Sequence, residues 1–329
     1  LIDGWSKQVV EQELMSPSGA VYARTRTRLL PRLNIAWPRR LEPYLYVLPA
    51  VIAIVFWIYR PLAQTFELSF YEWNLLPTAP KVWVGLQNYS RIFSLPDMGV
   101  ALRNTFVYML GLLPLSVLLP MAIAIVTDNI GKRARTIYRA LVFLPMMMAP
   151  VVVAVIWRWI LHPTNGIVNL VLEGLFSLEP VRFFSDGNLA IWAIIFITGW
   201  KLTGLSTLVF SAALTNISRE YLEAASIDGA SRWQIVRYIL IPLLSPTILF
   251  MTMLSLLLAS QWTFAYINVL TQGGPLGSTT NIYYLLWNYG FQSFAIGWSS
   301  AAAMLMFVGF GVLALVFLRL SSRLAFYDN

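Results

Sequence analysis

The sequence predicts an all-α integral membrane protein with six transmembrane helices. Of its 329 residues, 58% are hydrophobic and only 12% are charged, whereas a soluble domain carries about 25% charged residues. A run of 81 residues, 238–318, contains no Asp, Glu, Lys or Arg. One membrane helix needs about 20 residues, so this run must hold two helices and a connection between them. A chain of this composition needs the lipid bilayer as part of its solvent.

The apolar runs define the six spans. They cover residues 44–66, 105–127, 140–161, 189–214, 246–270 and 297–320. The second and third spans contain prolines, which membrane helices tolerate when neighbouring helices satisfy the freed backbone groups. Residues 271–280 (Thr-Gln-Gly-Gly-Pro-Leu-Gly-Ser-Thr-Thr) have turn composition and separate the last two spans. Residues 281–296 are expected to form a short interfacial or re-entrant helix.

Lys and Arg are distributed unevenly between the two sides of these spans. With the N-terminus inside, the inner segments hold sixteen of them and the outer segments six. Cytoplasmic loops carry the excess of basic residues, so this count predicts an N-in, C-in topology. It also explains the net charge of +8 without nucleic acid. We expect two parts: a basic cytoplasmic arm, 1–43, without the apolar core of a signal peptide, and a transmembrane domain, 44–329.

Composition and motifs argue against an enzyme. The chain has no cysteine and a single histidine, His162, which argues against a thiol nucleophile or a Cys/His metal site. No Gly-x-x-x-x-Gly-Lys-[Ser/Thr] segment occurs, so the chain lacks a P-loop and is not expected to hydrolyse ATP. We expect no cofactor in this chain.

A polar, helix-favouring stretch, residues 215–245, lies between the fourth and fifth spans. Gly229 is placed to end a first short helix, because glycine tolerates the left-handed backbone of a helix C-cap. A second helix is expected from Ser231 to Leu240, before Pro242. Apolar residues such as Ile227 and Trp233 are available for burial. From these residues alone, a docking element and an amphipathic helix on the lipid surface both remain open.

The residues of this stretch carry a resemblance to a known family. Three segments, Glu223-Ala224-Ala225, Asp228-Gly229-Ala230 and Ile-Leu-Ile-Pro242, resemble the EAA loop of permease subunits of binding-protein-dependent ABC importers. Ile241 is a conservative departure, because the family usually has Leu before the proline. The resemblance implies a helix-turn-helix coupling loop that docks into a cleft of the ATPase subunit. Glu223 would then contact a basic group of that ATPase, and Gly229 would permit the turn.

Further segments resemble the branch of this family that imports oligosaccharides, polyols and glycerol phosphates. They are Tyr-Leu-Tyr-Val-Leu-Pro-Ala (44–50), Val-Gly-Leu-Gln-Asn-Tyr (84–89), Leu-His-Pro-Thr-Asn-Gly-Ile-Val-Asn (161–169), Thr-Gln-Gly-Gly-Pro (271–275) and Tyr-Gly-Phe (289–291). The resemblance implies four partners: a second permease, two ATPase subunits that bind ATP and Mg²⁺, and an extracytoplasmic solute-binding protein. It also implies a bacterial cytoplasmic (inner) membrane location.

Polar residues inside the spans are candidates for the translocation path. Lys201 is the one charge well inside a predicted span, and intramembrane charges usually face a cavity or a partner. It could contact a substrate hydroxyl, phosphate or carboxylate, or it could snorkel or pair with a neighbouring subunit. The other candidates, which could equally join helices, are Trp200, Thr203, Ser206, Gln261, Trp262 and Asn268.

One alternative class is a stand-alone secondary transporter or channel. Such a protein would need its own coupling-ion site, and paired acidic residues are missing from the predicted spans. An importer subunit should copurify with an ATPase, whereas a stand-alone carrier should not.

Overall fold

A computed structural model describes residues 42–76, 78–128 and 130–324. The predicted basic arm, 1–43, lies outside the described residues except for its last two positions. The chain divides into two compact units, Leu1–Val55 and Phe56–Asn329. In the first unit the described residues form helix α1 (Glu42–Ile54), whose described side chains are exposed.

The second unit is largely helical. Its helices are α2 (Arg60–Leu68), α3 (Gln87–Ser94), α4 (Pro96–Leu113), α5 (Leu119–Thr127), α6 (Lys132–Met147), α7 (Pro150–Ile160), α8 (Ile167–Phe176), α9 (Gly187–Thr215), α10 (Arg219–Ile227), α11 (Arg232–Ile235), α12 (Ile241–Leu243), α13 (Ser245–Tyr266), α14 (Ile282–Trp287) and α15 (Ile296–Leu324). An antiparallel ribbon, β1 (Tyr71–Glu72) and β2 (Val82–Trp83), pairs Tyr71 with Trp83. This ribbon corrects the all-α prediction; the rings of Tyr71 and Trp83 meet edge to face across it, 5.0 Å apart.

Five helical segments of the described chain are long and apolar enough to cross a membrane. They cover Pro43–Leu68, Pro96–Thr127, Gly187–Thr215, Ser245–Thr271 and Ile296–Arg323. Each overlaps a predicted span, and a helical multi-pass membrane protein is confirmed. The second segment starts well before the predicted Thr105. Its 32 residues extend about 48 Å at 1.5 Å per residue, so its first turns reach beyond a hydrocarbon core of about 30 Å.

The third predicted span, 140–161, is not one helix. The structure has two helices there, Arg133–Met147 and Pro150–Ile160, bent by 98° at the break between them. Ala149 has an extended backbone, with ψ of 137°, because the ring of a following proline disfavours the α conformation. Pro150 therefore ends one helix and starts the next, where a tolerated internal proline was expected. The described chain has five helical segments long and apolar enough to cross a membrane, or six candidate spans if this bent pair is counted as one.

Proline also marks three of the π-helical turns in the described chain. These turns cover Val55–Tyr59, Pro114–Leu118 and Val236–Leu240, and each ends two residues before a proline. Two further π-helical turns, Ile267–Thr271 and Asn288–Gln292, end without one. A proline lacks an N–H group and clashes with the carbonyl four residues earlier. A wider turn before the proline accommodates that carbonyl, so the helices continue with a local π-bulge.

Helix α9 lies at the centre of the second unit. It packs against α5, α6 and α13, and most residues of its apolar stretch are buried. Two glycines permit this close packing. A Cβ atom on Gly199 would lie 2.5 Å from the Cβ of Leu115, and one on Gly204 would lie 2.3 Å from the carbonyl oxygen of Val142. The fourth span is therefore held between its neighbours in two ways: its glycines let neighbouring helices approach its backbone closely, and its apolar side chains are buried.

The connection between the last two spans forms the predicted turn and is braced by the second span. The side chain of Asn104 donates to the carbonyls of Gly277 (3.0 Å) and Thr280 (2.9 Å). The Tyr108 hydroxyl donates to the carbonyl of Thr279 at 3.0 Å. These bonds satisfy backbone groups that would otherwise be left unpaired at a buried position. The loop tip is consequently held in place, with Leu276 fully exposed.

Candidate functional site

The polar stretch between the fourth and fifth spans folds as a short helix, a turn and a second helix. A short turn joins α9 to helix α10. Ser218 caps α10 by accepting a hydrogen bond from the N–H of Glu220 (3.3 Å). A serine at this position satisfies one of the free N–H groups of the first helical turn. The helix projects Glu223 and Ala224 into solvent, whereas Ala225 is half-buried.

Gly229 forms the turn. Its φ of +76° is left-handed, which a residue with a side chain rarely adopts. The N–H of Ala230 donates to the carbonyl of Ala225 at 2.9 Å, and that of Gly229 to the carbonyl of Ser226 at 3.2 Å. This pair of bonds is a Schellman motif, the usual way to end a helix with glycine. The exposed Asp228 and the half-buried Ala230 flank the turn.

A capping box starts the second helix. The hydroxyl of Ser231 accepts from the N–H of Gln234 (3.4 Å), and the Gln234 side chain accepts from the N–H of Ser231 (2.7 Å). Such reciprocal bonds fix a helix start without tertiary contacts. Helix α11 continues through the π-turn at Val236–Leu240 to the half-buried Pro242. Local hydrogen bonds therefore define the shape of the whole loop (residues 218–242). We call it the coupling loop, after the role that the family resemblance implies.

The coupling loop exposes large apolar side chains. Ile227 is 86% exposed, Trp233 67% and Tyr238 68%. Ile227 ends α10 and Trp233 lies in α11, so both flank the Gly229 turn. Exposed apolar side chains grouped beside charged ones are typical of a protein–protein or membrane contact. The described residues leave these three side chains largely uncovered, so the loop presents an exposed apolar surface.

Glu223 also faces a polar cleft. The cleft has a volume of about 610 Å³, and its lining includes Arg135, Arg219, Glu223 and Ile227. Arg135 donates to the backbone carbonyl of Asp128, which anchors the start of α6 beside the end of α5. Glu223 makes no ion pair within the described residues. Its carboxylate is therefore free for a basic partner at the rim of the cleft.

The candidates on α9 point in different directions. Lys201 is partly exposed, on a stripe with Leu205, Leu208 and Ala212, which share a helix face by their spacing. Its ammonium makes no hydrogen bond or ion pair with a described residue. Thr203 and Ser206 are buried on the other side of the helix. Lys201 and these two residues are therefore not brought together.

Thr203 and Trp200 make contacts between helices. The Thr203 hydroxyl lies 2.9 Å from the carbonyl of Leu115 and 2.8 Å from that of Gly199, so it bridges α9 to the second span. The ring of Trp200 meets that of Trp157 edge to face at 5.6 Å. Both interactions join spans, which is the role that polar and aromatic residues often have in membrane bundles. Their part in a translocation path stays a prediction.

In the fifth span, Gln261 and Asn268 share one face. They are seven residues apart, which is about two helical turns. Gln261 is exposed and Asn268 half-buried, on the side of the helix away from the buried Ala259 and Thr263. Trp262 is half-buried, about 100° around the helix from Gln261. Gln261 and Asn268 thus present amide groups outward from the apolar bundle.

Several buried polar residues were missed by the sequence interpretation. The hydroxyls of Ser116 and Ser255 lie 2.8 Å apart and join the second and fifth spans. Asn281 caps α14 by accepting from the N–H of Tyr284 (2.8 Å), and its amide donates to the carbonyl of Ser260 (2.9 Å). Their signal in the sequence is the presence of polar residues inside apolar runs. That signal indicates that a polar side chain has a hydrogen-bond partner, but it does not identify the partner.

Comparison with known proteins identifies the class. A family described as "Binding-protein-dependent transport system inner membrane component" matches residues 116–326, and the chain belongs to this family. It is a multi-pass inner-membrane permease component of an ABC importer, as the resemblance implied. The alternative of a stand-alone transporter or channel is not favoured.

Individual relatives agree with this assignment. The chain is 33% identical over 292 residues to the probable ABC transporter permease protein YesP of Bacillus subtilis, covering 88% of this chain and 93% of the relative. It is 29% identical over 277 residues to the sn-glycerol-3-phosphate transport system permease protein UgpA of Agrobacterium fabrum, covering 84% and 92%. A crystal structure of a bacterial ABC transporter that imports the acidic polysaccharide alginate has a chain with a TM-score of 0.77 and 25% identity, covering 88% of this chain and 97% of that one.

Proposed function

We propose that the coupling loop is the surface through which partner ATPases drive transport by this permease. The observation that carries the proposal is the exposure of Ile227 and Trp233 on either side of a left-handed glycine turn. A helix-turn-helix with apolar side chains at its bend fits a cleft in a partner protein. Membership of an importer family explains why the partner would be an ATPase, because this chain has no P-loop of its own.

The proposed assembly has this chain in N-in, C-in orientation with six spans, counting the bent pair as the third. It pairs with a second, similar permease, two ATPase subunits that bind ATP and Mg²⁺, and a solute-binding protein on the outer side. The loops next to β1 and β2 and the loop at Leu276 would then face the binding protein. The sixteen-to-six distribution of basic residues supports this orientation.

The mechanism follows from differential binding. The ATPase dimer closes on ATP, and the coupling loop moves with the cleft that holds it. A ligand shifts a conformational equilibrium only by its difference in affinity for the two states, so the cleft must hold the loop differently in each state. The rigid Schellman turn and capping box transmit the movement to α9 and α13, between which the loop is inserted. The spans tilt, and the cavity opens outward.

The proposed solute is sugar-like: an oligosaccharide, polyol or glycerol phosphate. The named solutes of two similar proteins, glycerol 3-phosphate and alginate, are both acidic. Lys201 is the charged residue of the fourth span and lies on its partly exposed stripe. Gln261 and Asn268 add amide groups on the outward face of the fifth span. A phosphate or carboxylate beside Lys201 would supply the counter-charge that an intramembrane lysine needs.

Replacing Lys201 with Met is expected to lower uptake of an acidic solute selectively. Loss of a charged hydrogen bond costs about 1.5–3 kcal/mol, or roughly 10- to 150-fold in affinity. The measurement is uptake of labelled alginate oligosaccharides, glycerol 3-phosphate and a neutral disaccharide by the assembled importer in proteoliposomes.

Lys201→Arg is the matched control, because it keeps the charge and should retain most uptake of the acidic solute. Unchanged discrimination between acidic and neutral solutes in Lys201→Met would remove Lys201 from the path. Importer assembly and ATP hydrolysis, measured on the same preparations, separate this result from a folding defect.

A further inference from the structure

A polar cleft lies at the end of the bundle opposite to the coupling loop. The coupling loop precedes the fifth span, whereas the cleft is lined by the glycine-rich turn that follows this span. The span between them, Ser245–Thr271, has 27 residues and is about 40 Å long at 1.5 Å per residue. The cleft has a volume of about 390 Å³, which is within the range of small-molecule sites. In the proposed N-in orientation, this end of the bundle faces the outside.

One wall of the cleft is a turn whose shape is fixed by its own hydrogen bonds. Gly273 has a φ of +83°, and a Cβ atom there would lie 2.5 Å from the Thr280 hydroxyl oxygen. That hydroxyl donates to the carbonyl of Gly273 (3.2 Å), and the Thr279 hydroxyl donates to the carbonyl of Gly274 (3.0 Å). With the bonds from Asn104, these interactions hold the wall in place before an occupant arrives.

The polar side chains of the cleft, in contrast, are unpaired. Its lining includes Asp97 at the start of α4, Gln272 in the turn and Asn288 just after α14. None of the three side chains makes a hydrogen bond or ion pair with another described residue. Tyr284 also lines the cleft; it is only 5% exposed, and its hydroxyl has no partner in the described chain. A polar side chain buried this deeply normally has a hydrogen-bond partner.

The chemistry of this set complements the hydroxyl groups of a sugar. A carboxylate accepts hydrogen bonds, whereas amides and a phenol can both donate and accept them. Each sugar hydroxyl also donates and accepts. No basic residue of the described chain lines the cleft, so the set does not favour a phosphate or carboxylate. The centre of a protein–protein interface is typically apolar and depleted of charge, which argues against a protein segment as the occupant.

We propose that this cleft binds a saccharide unit through its hydroxyl groups. Asp97 accepts from one hydroxyl, the amides of Gln272 and Asn288 each donate and accept, and Tyr284 supplies its phenol at the inner end. The proposal rests on the sugar-like solute of the proposed function and adds a binding site for it outside the spans. It places hydroxyl recognition at the outer end of the bundle and leaves any contact with an acidic group to Lys201.

The test uses two cysteine variants of a chain that has no native cysteine. Val100 lines the cleft, whereas its neighbour Gly99 does not. Both positions are exposed, and a Cβ atom on Gly99 would meet no atom within 4 Å. The measurement is the rate of labelling by an impermeant maleimide in proteoliposomes of the assembled importer, without ATP or solute-binding protein. The probes are sucrose, an alginate disaccharide and glycerol, with glycine betaine as a solute that lacks hydroxyl groups.

A saccharide should slow the labelling of Val100→Cys in a saturable manner and leave that of Gly99→Cys unchanged. Glycine betaine should protect neither position. Absence of protection by all three hydroxylated probes would overturn the proposal, and so would equal protection of both cysteines. Protection of Val100→Cys by the solute-binding protein alone, with none by the probes, would identify a protein occupant and overturn it as well.

Asn288→Ala tests the hydrogen bonds in the Val100→Cys background. The Asn288 side chain has no partner in the described chain, so its removal costs the fold no hydrogen bond. The saccharide concentration for half-maximal protection should rise about fivefold, the value of one neutral hydrogen bond. Gln292→Ala is the matched control, because Gln292 is exposed in the same π-turn but does not line the cleft. An equal rise in both variants, or none in Asn288→Ala, would exclude the proposed contact.

The outcome is separable from the coupling proposal. Protection is measured without ATP, so a variant of Glu223 should label and protect like the wild type even if its transport is lost. Loss of protection in Asn288→Ala with normal ATPase coupling would support the cleft. Normal protection with failed coupling predictions would contradict only the role of the coupling loop.

Discussion

Glu223→Gln is expected to uncouple ATP hydrolysis from solute uptake. Glu223 is exposed on α10 at the rim of a polar cleft, free of any ion pair within the described residues. If a basic group of the ATPase binds it, removal of the charge leaves that group unpaired at a buried interface, which costs about 2–5 kcal/mol. Even the lower figure lowers coupled transport roughly 30-fold. The measurement is solute-stimulated ATPase activity and uptake of the reconstituted importer.

Glu220→Gln is the matched control for this variant. Glu220 is another exposed glutamate on α10, one turn earlier, and lies outside the Glu-Ala-Ala segment. Its replacement should leave uptake close to that of the wild type. Wild-type uptake and stimulated ATPase activity in Glu223→Gln would show that coupling does not pass through this carboxylate. Equal loss in both variants would indicate a general charge effect.

Gly204→Ala is expected to destabilise the bundle. The added Cβ would lie 2.3 Å from the Val142 carbonyl oxygen and 2.9 Å from the Cα of Phe143. Both are backbone atoms of α6, which cannot rotate away, so the two helices must separate. Overpacking of this kind costs about 1–3 kcal/mol. The measurement is the thermal unfolding midpoint of the assembled importer in detergent, which should fall.

The control for Gly204→Ala is Gly311→Ala on α15. A Cβ atom on Gly311 meets nothing within 4 Å, and alanine is the better helix former, so the midpoint should not fall. A midpoint for Gly204→Ala equal to that of the wild type would contradict the close packing of α6 on α9.

The general architecture could be predicted because the bilayer imposes it. Lipid requires long apolar helices. The lengths of these helices and the turn at 271–280 can be predicted from a single sequence. The helix–turn–helix form of the coupling loop could also be predicted, because Gly229 ends the first helix and Ser231 starts the second through their immediate neighbours. The capping box with Gln234 was not predicted. Local hydrogen bonds need only local sequence.

Tertiary relationships could not be predicted in the same way. The break at Pro150 depends on whether neighbouring helices accept a bend or a straight helix, and the proline alone is compatible with both. Helical spacing alone places Lys201 on a different face of α9 from Thr203 and Ser206, but which of these faces the other spans cover depends on tertiary packing. The bracing of the loop by Asn104 joins residues more than 170 positions apart. A hydrophobic run gives no information about such partners.

The central claim is that the coupling loop lies in the cytoplasm and is covered by an ATPase. The chain has no native cysteine, so single cysteines can be introduced at Ile227 and, as a control for the opposite side, at the fully exposed Leu276. The measurement is labelling by a membrane-impermeant maleimide. Leu276→Cys should react in intact cells. Ile227→Cys should react only in opened membranes that lack the ATPase, and it should be protected once the ATPase is bound. Labelling of Ile227→Cys from outside, or equal labelling with and without the ATPase, would contradict the account.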